Sequence, residues 1–215
     1  MPLDNRDYLR RDYRQPSRRP SFRFDLGSGL NPLWTIMALN GVFFLATAFS
    51  PETRELLGFA PALFMERPWT ILTNLFVHAD IWHLVFNMIA LLFFGRTMVV
   101  LTSMNKFLLV YFLGGLAGCI LFWLLNLDRN VLLIGASGAV YAICGALVVL
   151  VPKMTVNFWG IIPMPLWVFV IIFMVLFSVP PFAPFGIAWQ AHIGGLATGA
   201  VFGYLFKKQG KAYRH

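Results

Sequence analysis

The chain has 215 residues, of which 59% are hydrophobic and 12% charged, with a mean hydropathy of +0.72 and a formal net charge of +8. About half the charge of an ordinary soluble domain is missing, which excludes a water-soluble fold with polar loops around one core and makes lipid the expected solvent. The positive charge does not describe a nucleic-acid binder: seven of the 17 basic residues (Arg6, Arg10, Arg11, Arg14, Arg18, Arg19 and Arg23) crowd into the first 23 positions, without aromatic interleaving or a helix-turn-helix pattern.

The segment 1–30 therefore reads as a flexible basic tail beside an anionic leaflet, with membrane lipids as its neighbours. A signal peptide is not expected, because the first apolar run begins after some thirty mostly polar residues and no small-residue cleavage site follows it soon. Uncharged runs then occupy Pro32 to Ser50, Ile81 to Val100 with Arg96 near its end, Phe107 to Leu127, and Val131 to Val151. Each suffices to cross a hydrocarbon core of ~30 Å as a helix. After Lys153 no Asp, Glu, Lys or Arg occurs before Lys207, and prolines punctuate instead: Pro163 and Pro165, then Pro180, Pro181 and Pro184. They divide this stretch into spans at Leu166 to Val179 and Ala188 to Phe206. The expected fold is an all-α integral membrane protein, a six-helix bundle over 31–206 followed by a short basic tail at 207–215.

An even number of spans puts both termini on one side. If that side is the cytoplasm, it holds the seven tail arginines, Arg96, Lys106, Lys153, Lys207, Lys208, Lys211 and Arg214, and leaves only Arg54, Arg67 and Arg129 outside. The expected location is a multi-pass position in a bacterial inner membrane. The loop from Pro51 to about His78 is then outside. It mixes Glu52, Glu55 and Glu66 with Leu56, Leu57, Phe59, Phe64, Met65 and Trp69, so an amphipathic element at the outer leaflet is expected, with Trp69 as an interfacial anchor.

Polar groups inside the spans are costly in lipid and so stand out. Of the four histidines, His78 and His83 head the second span, His192 heads the sixth, and His215 ends the chain. His83 and Asn87 are spaced i, i+4 on one helical face, which suits helix-to-helix hydrogen bonding at least as well as chemistry. The fourth span carries Ser137 within Gly135-Ala136-Ser137-Gly138, with small residues Gly138, Ala142 and Gly145 in a stripe; the sixth answers with Gly195 and Gly199 on the face of His192. If those faces pair, Ser137 and His192 meet near the outer end. A serine at a helix start beside an imidazole is the minimum for nucleophilic catalysis, because the ring takes the hydroxyl proton and the helix N-terminus meets the developing oxyanion. Cys119 and Cys144 lie within apolar runs, which argues against a disulfide framework. Cys144, seven residues after Ser137, is read as a packing residue rather than a thiol nucleophile.

Taken together, Gly135-Ala136-Ser137-Gly138 with Tyr141, the set His78, His83 and Asn87, and Ala191-His192 with Gly195 and Gly199 resemble the rhomboid intramembrane serine proteases. The likeness runs from about Asn31 to Phe206. The resemblance implies a rhomboid-like bundle acting on transmembrane protein substrates, with Ser137 as nucleophile, His192 as general base and no cofactor or metal. It further implies an oxyanion hole from His83, Asn87 and the Ser137 N–H, Tyr141 stacked on His192, and His78 supporting the outer end of the second span. Two positions depart from the family pattern. Trp69 is followed by Thr70 rather than arginine, the nearest arginine being Arg67, and Phe94-Gly95-Arg96 is followed by Thr97 rather than glutamate.

Rival classes are a catalytically silent rhomboid-like protein that binds membrane clients, a membrane metalloprotease and a transporter. The first typically lacks the serine or the histidine. The second wants a His-Glu-x-x-His that is absent here, and the third wants an internal repeat and an acid deep in a span. The sequence carries no signal of oligomeric state.

Overall fold

The computed structural model describes residues 31–127, 131–158, 161–178 and 188–212. The arginine-rich tail, Arg129, Val179, Pro180, Pro181, Pro184, Arg214 and His215 lie outside the described residues. Pro32 opens α1 (Pro32–Ala48), where its missing N–H costs nothing. Ser50 caps α2 (Pro51–Leu57), its hydroxyl accepting the Thr53 N–H at 3.1 Å. The rest of the first loop holds the short α3 (Thr70–Thr73), which runs on into a 3-10 turn at Asn74–Phe76. Asp80 caps α4 (Ile81–Leu101), which widens into a π-helical turn at Leu91–Gly95. Ser103 caps α5 (Met104–Leu124), and α6 (Ser137–Leu150) follows. An antiparallel hairpin, β1 (Thr155–Phe158) against β2 (Ile162–Pro165), leads into α7 (Leu166–Ser178), and α8 (Trp189–Ala212) completes the described chain. In the hairpin Thr155 stands opposite Pro165 and Phe158 opposite Ile162.

Three stretches differ from the expectations drawn from sequence. Val131 to Val151 is not one helix: helix begins only at Ser137, because Gly135 at φ 120° breaks any turn entering it and Leu133 bridges to Phe59 instead. The connection after Val151 forms a hairpin that an apolar stretch with two prolines does not announce. The last helix continues past Phe206 through Lys207 and Lys208, since lysine is a good helix former once the chain leaves the apolar layer.

The distribution of polarity is that of a membrane protein. Leu45 (65% exposed) and Phe93 (62%) face outward, whereas Asn40, Asn74, His78 and His192 are buried. Both α4 and α5 are long and apolar enough to cross a bilayer, and α1 and α6 are shorter apolar helices. The most extensive helix contact is α6 against α8, followed by α5 against α8 and α5 against α6. Where lipid surrounds the protein, burying more hydrocarbon does little to drive helices together, so close backbone approach carries the packing. A Cβ at Gly195 or Gly199 would collide with the carbonyl oxygen of Gly138 or Ala142 respectively, so the small-residue faces of α6 and α8 do pair.

Candidate active site

The α6–α8 seam brings a hydroxyl to an imidazole. Ser137 Oγ lies 2.8 Å from His192 Nε2, within the range of a good hydrogen bond. Ser137 is the first residue of α6, and His192 follows one turn after the start of α8. Tyr141, four residues along α6 from Ser137, stacks its ring on His192 with centroids 4.4 Å apart and planes 28° apart. Stacking on one face and the Ser137 bond at one edge fix both the position and the rotation of the imidazole.

The opposite wall comes from the start of α4. The Asp80 carboxylate accepts the His83 N–H at 2.9 Å, which fixes the first turn of α4. His83 Nδ1 accepts the Ala79 N–H at 3.3 Å. A nitrogen that accepts carries no proton, so the neutral His83 ring holds its hydrogen on Nε2. That Nε2 edge is pressed against Gly135: a Cβ there would fall 2.7 Å from both Cε1 and Nε2 of His83, and 3.7 Å from Ser137 Oγ. With φ at 120° and no room for a side chain, position 135 accepts only glycine.

Asn87 sits one turn below His83, nearly fully buried, and its Nδ2 donates to the His83 carbonyl at 2.9 Å. One amide proton is thus held by its own helix. His78 precedes α4, fully buried, with its ring edge-on to His83 at 4.9 Å between centroids. Its Nδ1 donates to the Phe76 carbonyl at 3.3 Å. Burial pushes its pKa down to about 3, with the neighbouring His83 adding to the effect, so His78 is neutral. Gly138 and Gly195 belong to the seam beside the pair, and Gly199 lies a turn further along it. Cys144 packs in the core of α6.

The loop beside the site is held by contacts that residue types alone do not announce. Phe59 and Leu133 exchange backbone hydrogen bonds of 3.0 and 2.8 Å, joining the first loop to the segment before Ser137. The end of α2 is closed by side chains: Arg67 donates to the Glu55 carbonyl, the Trp69 indole to Leu56 and Thr73 to Leu57. Arg67 and half-exposed Trp69 are therefore loop braces. The Asn74 carbonyl accepts the Gly135 N–H at 2.9 Å. An asparagine inside the apolar run Leu72 to Val77 is the same cue that singles out Asn87, and it marks this residue in the sequence too.

Fold and site together define an all-α integral membrane protein with a buried polar cluster at one end of its bundle. The Rhomboid domain pattern matches residues 65–209. Among relatives, Rhomboid-like protease 3 of Toxoplasma gondii is 33% identical over 107 residues, covering 48% of this chain and 40% of its own. Rhomboid protein 1, mitochondrial, of Saccharomyces cerevisiae is 27% identical over 146 residues, covering 65% of this chain and 42% of its own. Rhomboid protease GluP of Bacillus subtilis is 31% identical over 131 residues, covering 61% and 24%. The chain belongs to the rhomboid family, and it spans less than half the length of each of these relatives.

Proposed function

We propose that this chain is an intramembrane serine endopeptidase that hydrolyses a peptide bond in or near a transmembrane segment of another membrane protein. The observation that carries the reading is the 2.8 Å approach of Ser137 Oγ to His192 Nε2. With the His192 proton on Nδ1, Nε2 accepts the serine O–H. As Oγ bonds to the scissile carbonyl carbon, that proton passes to Nε2 and the carbonyl oxygen takes the negative charge. The Ser137 N–H at the positive end of α6 meets this charge, with His83 Nε2–H and the second Asn87 amide proton as the other donors. Collapse breaks the C–N bond, and Nε2 returns the proton to the departing amine. The ester left on Ser137 is attacked by water that Nε2 deprotonates, the acid leaves, and Oγ recovers its hydrogen. Asp80 takes no part in this cycle, because its carboxylate is engaged at the helix start. The cycle as written uses neither cofactor nor metal.

In this reading α1, α4, α5, α6, α7 and α8 are six crossings of a bacterial inner membrane, flanked by basic tails at 1–30 and 207–215. Both termini are cytoplasmic. Among the described residues Arg96, Lys106, Lys153, Lys207 and Lys208 fall at the helix ends away from Ser137, and only Arg54 and Arg67 fall at the near end. The cut then lies toward the outer face. The test is cleavage of a single-span substrate by purified protein in detergent. Ser137→Ala and His192→Ala should each reduce turnover by at least ~1000-fold. Cleavage by either variant at the rate of the unaltered chain refutes the dyad, and a folded but inactive unaltered chain would turn the reading toward client binding.

A further inference from the structure

We infer that Asn74 is a positioning residue for the reaction, acting through Gly135 on the oxyanion side of Ser137; the inference rests on the protease reading above. The segment leading to the nucleophile, from Val131 to Ala136, has no helix of its own. It is held from outside, by two bonds between Leu133 and Phe59 and by the Gly135 N–H donating to the Asn74 carbonyl at 2.9 Å. That last bond is the one nearest the chemistry. It fixes the glycine at φ 120° that lies against the His83 ring and stands two residues before Ser137.

A carbonyl positions its partner only as well as its own turn is held, and the side chain of Asn74 does the holding. Its Nδ2 donates to the carbonyls of Thr70 at 2.7 Å and Ile71 at 2.8 Å, closing α3 onto the 3-10 turn. The same nitrogen lies 3.7 Å from Cys119 Sγ on α5. Asn74 is 1% exposed, so water cannot replace these bonds when the amide is removed. Beneath the turn, Phe59, Leu133, Cys119, Phe122 and Ala191 form one apolar cluster, which ties the loop to the helix that carries His192. The Asn74 side chain is hydrogen-bonded within its own loop, so the arrangement acts through Gly135. It sets where the Gly135 backbone, and with it the His83 donor, stands relative to Oγ. A shift of even a fraction of an ångström there should weaken oxyanion stabilisation more than substrate binding.

Thr73 supplies the control. Its hydroxyl donates to the Leu57 carbonyl at 2.6 Å, so a side chain in the same loop and one residue away braces the end of α2 instead of the Gly135 turn. The experiment measures the rate at which a fluorophosphonate labels Ser137 in full-length protein, together with kcat and KM for a single-span substrate, well below each variant's Tm. Asn74→Ala should label on the order of tenfold more slowly, with kcat falling and KM unchanged. Thr73→Val should lose thermal stability and keep the labelling rate. Should Asn74→Ala fail to fold, Asn74→Ser replaces it, because a serine hydroxyl still reaches back to the carbonyl four residues earlier and should give an intermediate rate. Labelling of Asn74→Ala or Asn74→Ser at the unaltered rate overturns the inference and leaves the protease reading standing, as does equal slowing by Thr73→Val. Absence of Ser137 labelling in the unaltered chain overturns both.

Discussion

Two halves of the site are built by different means. On one side, Ser137, Tyr141 and His192 ride on α6 and α8, whose backbones approach so closely that glycine is required at the contact. On the other, Gly135 is set by a loop and an extended segment that reach each other through individual backbone hydrogen bonds, and His83 by the capped first turn of α4. The first half is rigid because many van der Waals contacts must break together to move it; the second is only as rigid as a few bonds. Proton transfer tolerates little displacement between hydroxyl and ring, so under the proposed function the more rigid construction carries the reacting pair.

The largest effect should come from splitting the helix seam. Gly199→Leu forces a side chain into the Ala142 carbonyl, so folded protein recovered from detergent should fall severely, as judged by size-exclusion profile and thermal unfolding. A normal profile for that variant would mean that α6 and α8 are not held by this contact. A smaller loss is expected on the opposite wall, at α4. Asn87→Ala should leave folding nearly intact and cost about 3 kcal/mol in kcat, the usual worth of one oxyanion donor. Unchanged kcat would assign Asn87 to its hydrogen bond with the His83 carbonyl alone.

The smallest expected effect concerns His78 and pH. Burial holds its folded pKa near 3 against an ordinary value of 6.5. Between those values the unfolded chain binds a proton that the folded chain refuses, so stability is lost as pH falls below 6.5. One such group contributes up to about 1.4 kcal/mol per pH unit. His78→Gln, which removes the titration, should flatten the decline of Tm between pH 7 and pH 5 relative to the unaltered chain. Parallel slopes would show that His78 is not the group responsible.

The helix-held half was legible in the sequence, and the physical reason is that lipid makes its cues rare. Small residues at helical spacing, and a serine or histidine inside an apolar run, are costly in a bilayer unless they pack against another helix or react. Ser137, His192, Gly138, Gly195 and Gly199 therefore stand out one by one. The contacts that hold the other half were hidden, although His83, Asn87 and Gly135 themselves stand out in the sequence. They run from backbone to backbone, as between Phe59 and Leu133, and a backbone bond leaves no mark on residue type. The same holds for the start of α6, where composition from Val131 onward is apolar enough for one long helix and only the single Gly135 records that the chain turns. The hairpin after Val151 escaped for a related reason: Pro163 and Pro165 read as breakers, yet on a two-stranded ribbon a proline can sit where no ladder donor is needed.

The proposed activity depends throughout on Ser137 being activated by His192. The direct measurement is covalent labelling of the folded chain by a fluorophosphonate, with the modified residue located by peptide mass spectrometry. Activation by the imidazole predicts a single adduct on Ser137 that disappears in His192→Ala while that variant keeps its Tm. Labelling that persists in folded His192→Ala, or an unaltered chain that remains unmodified, contradicts it.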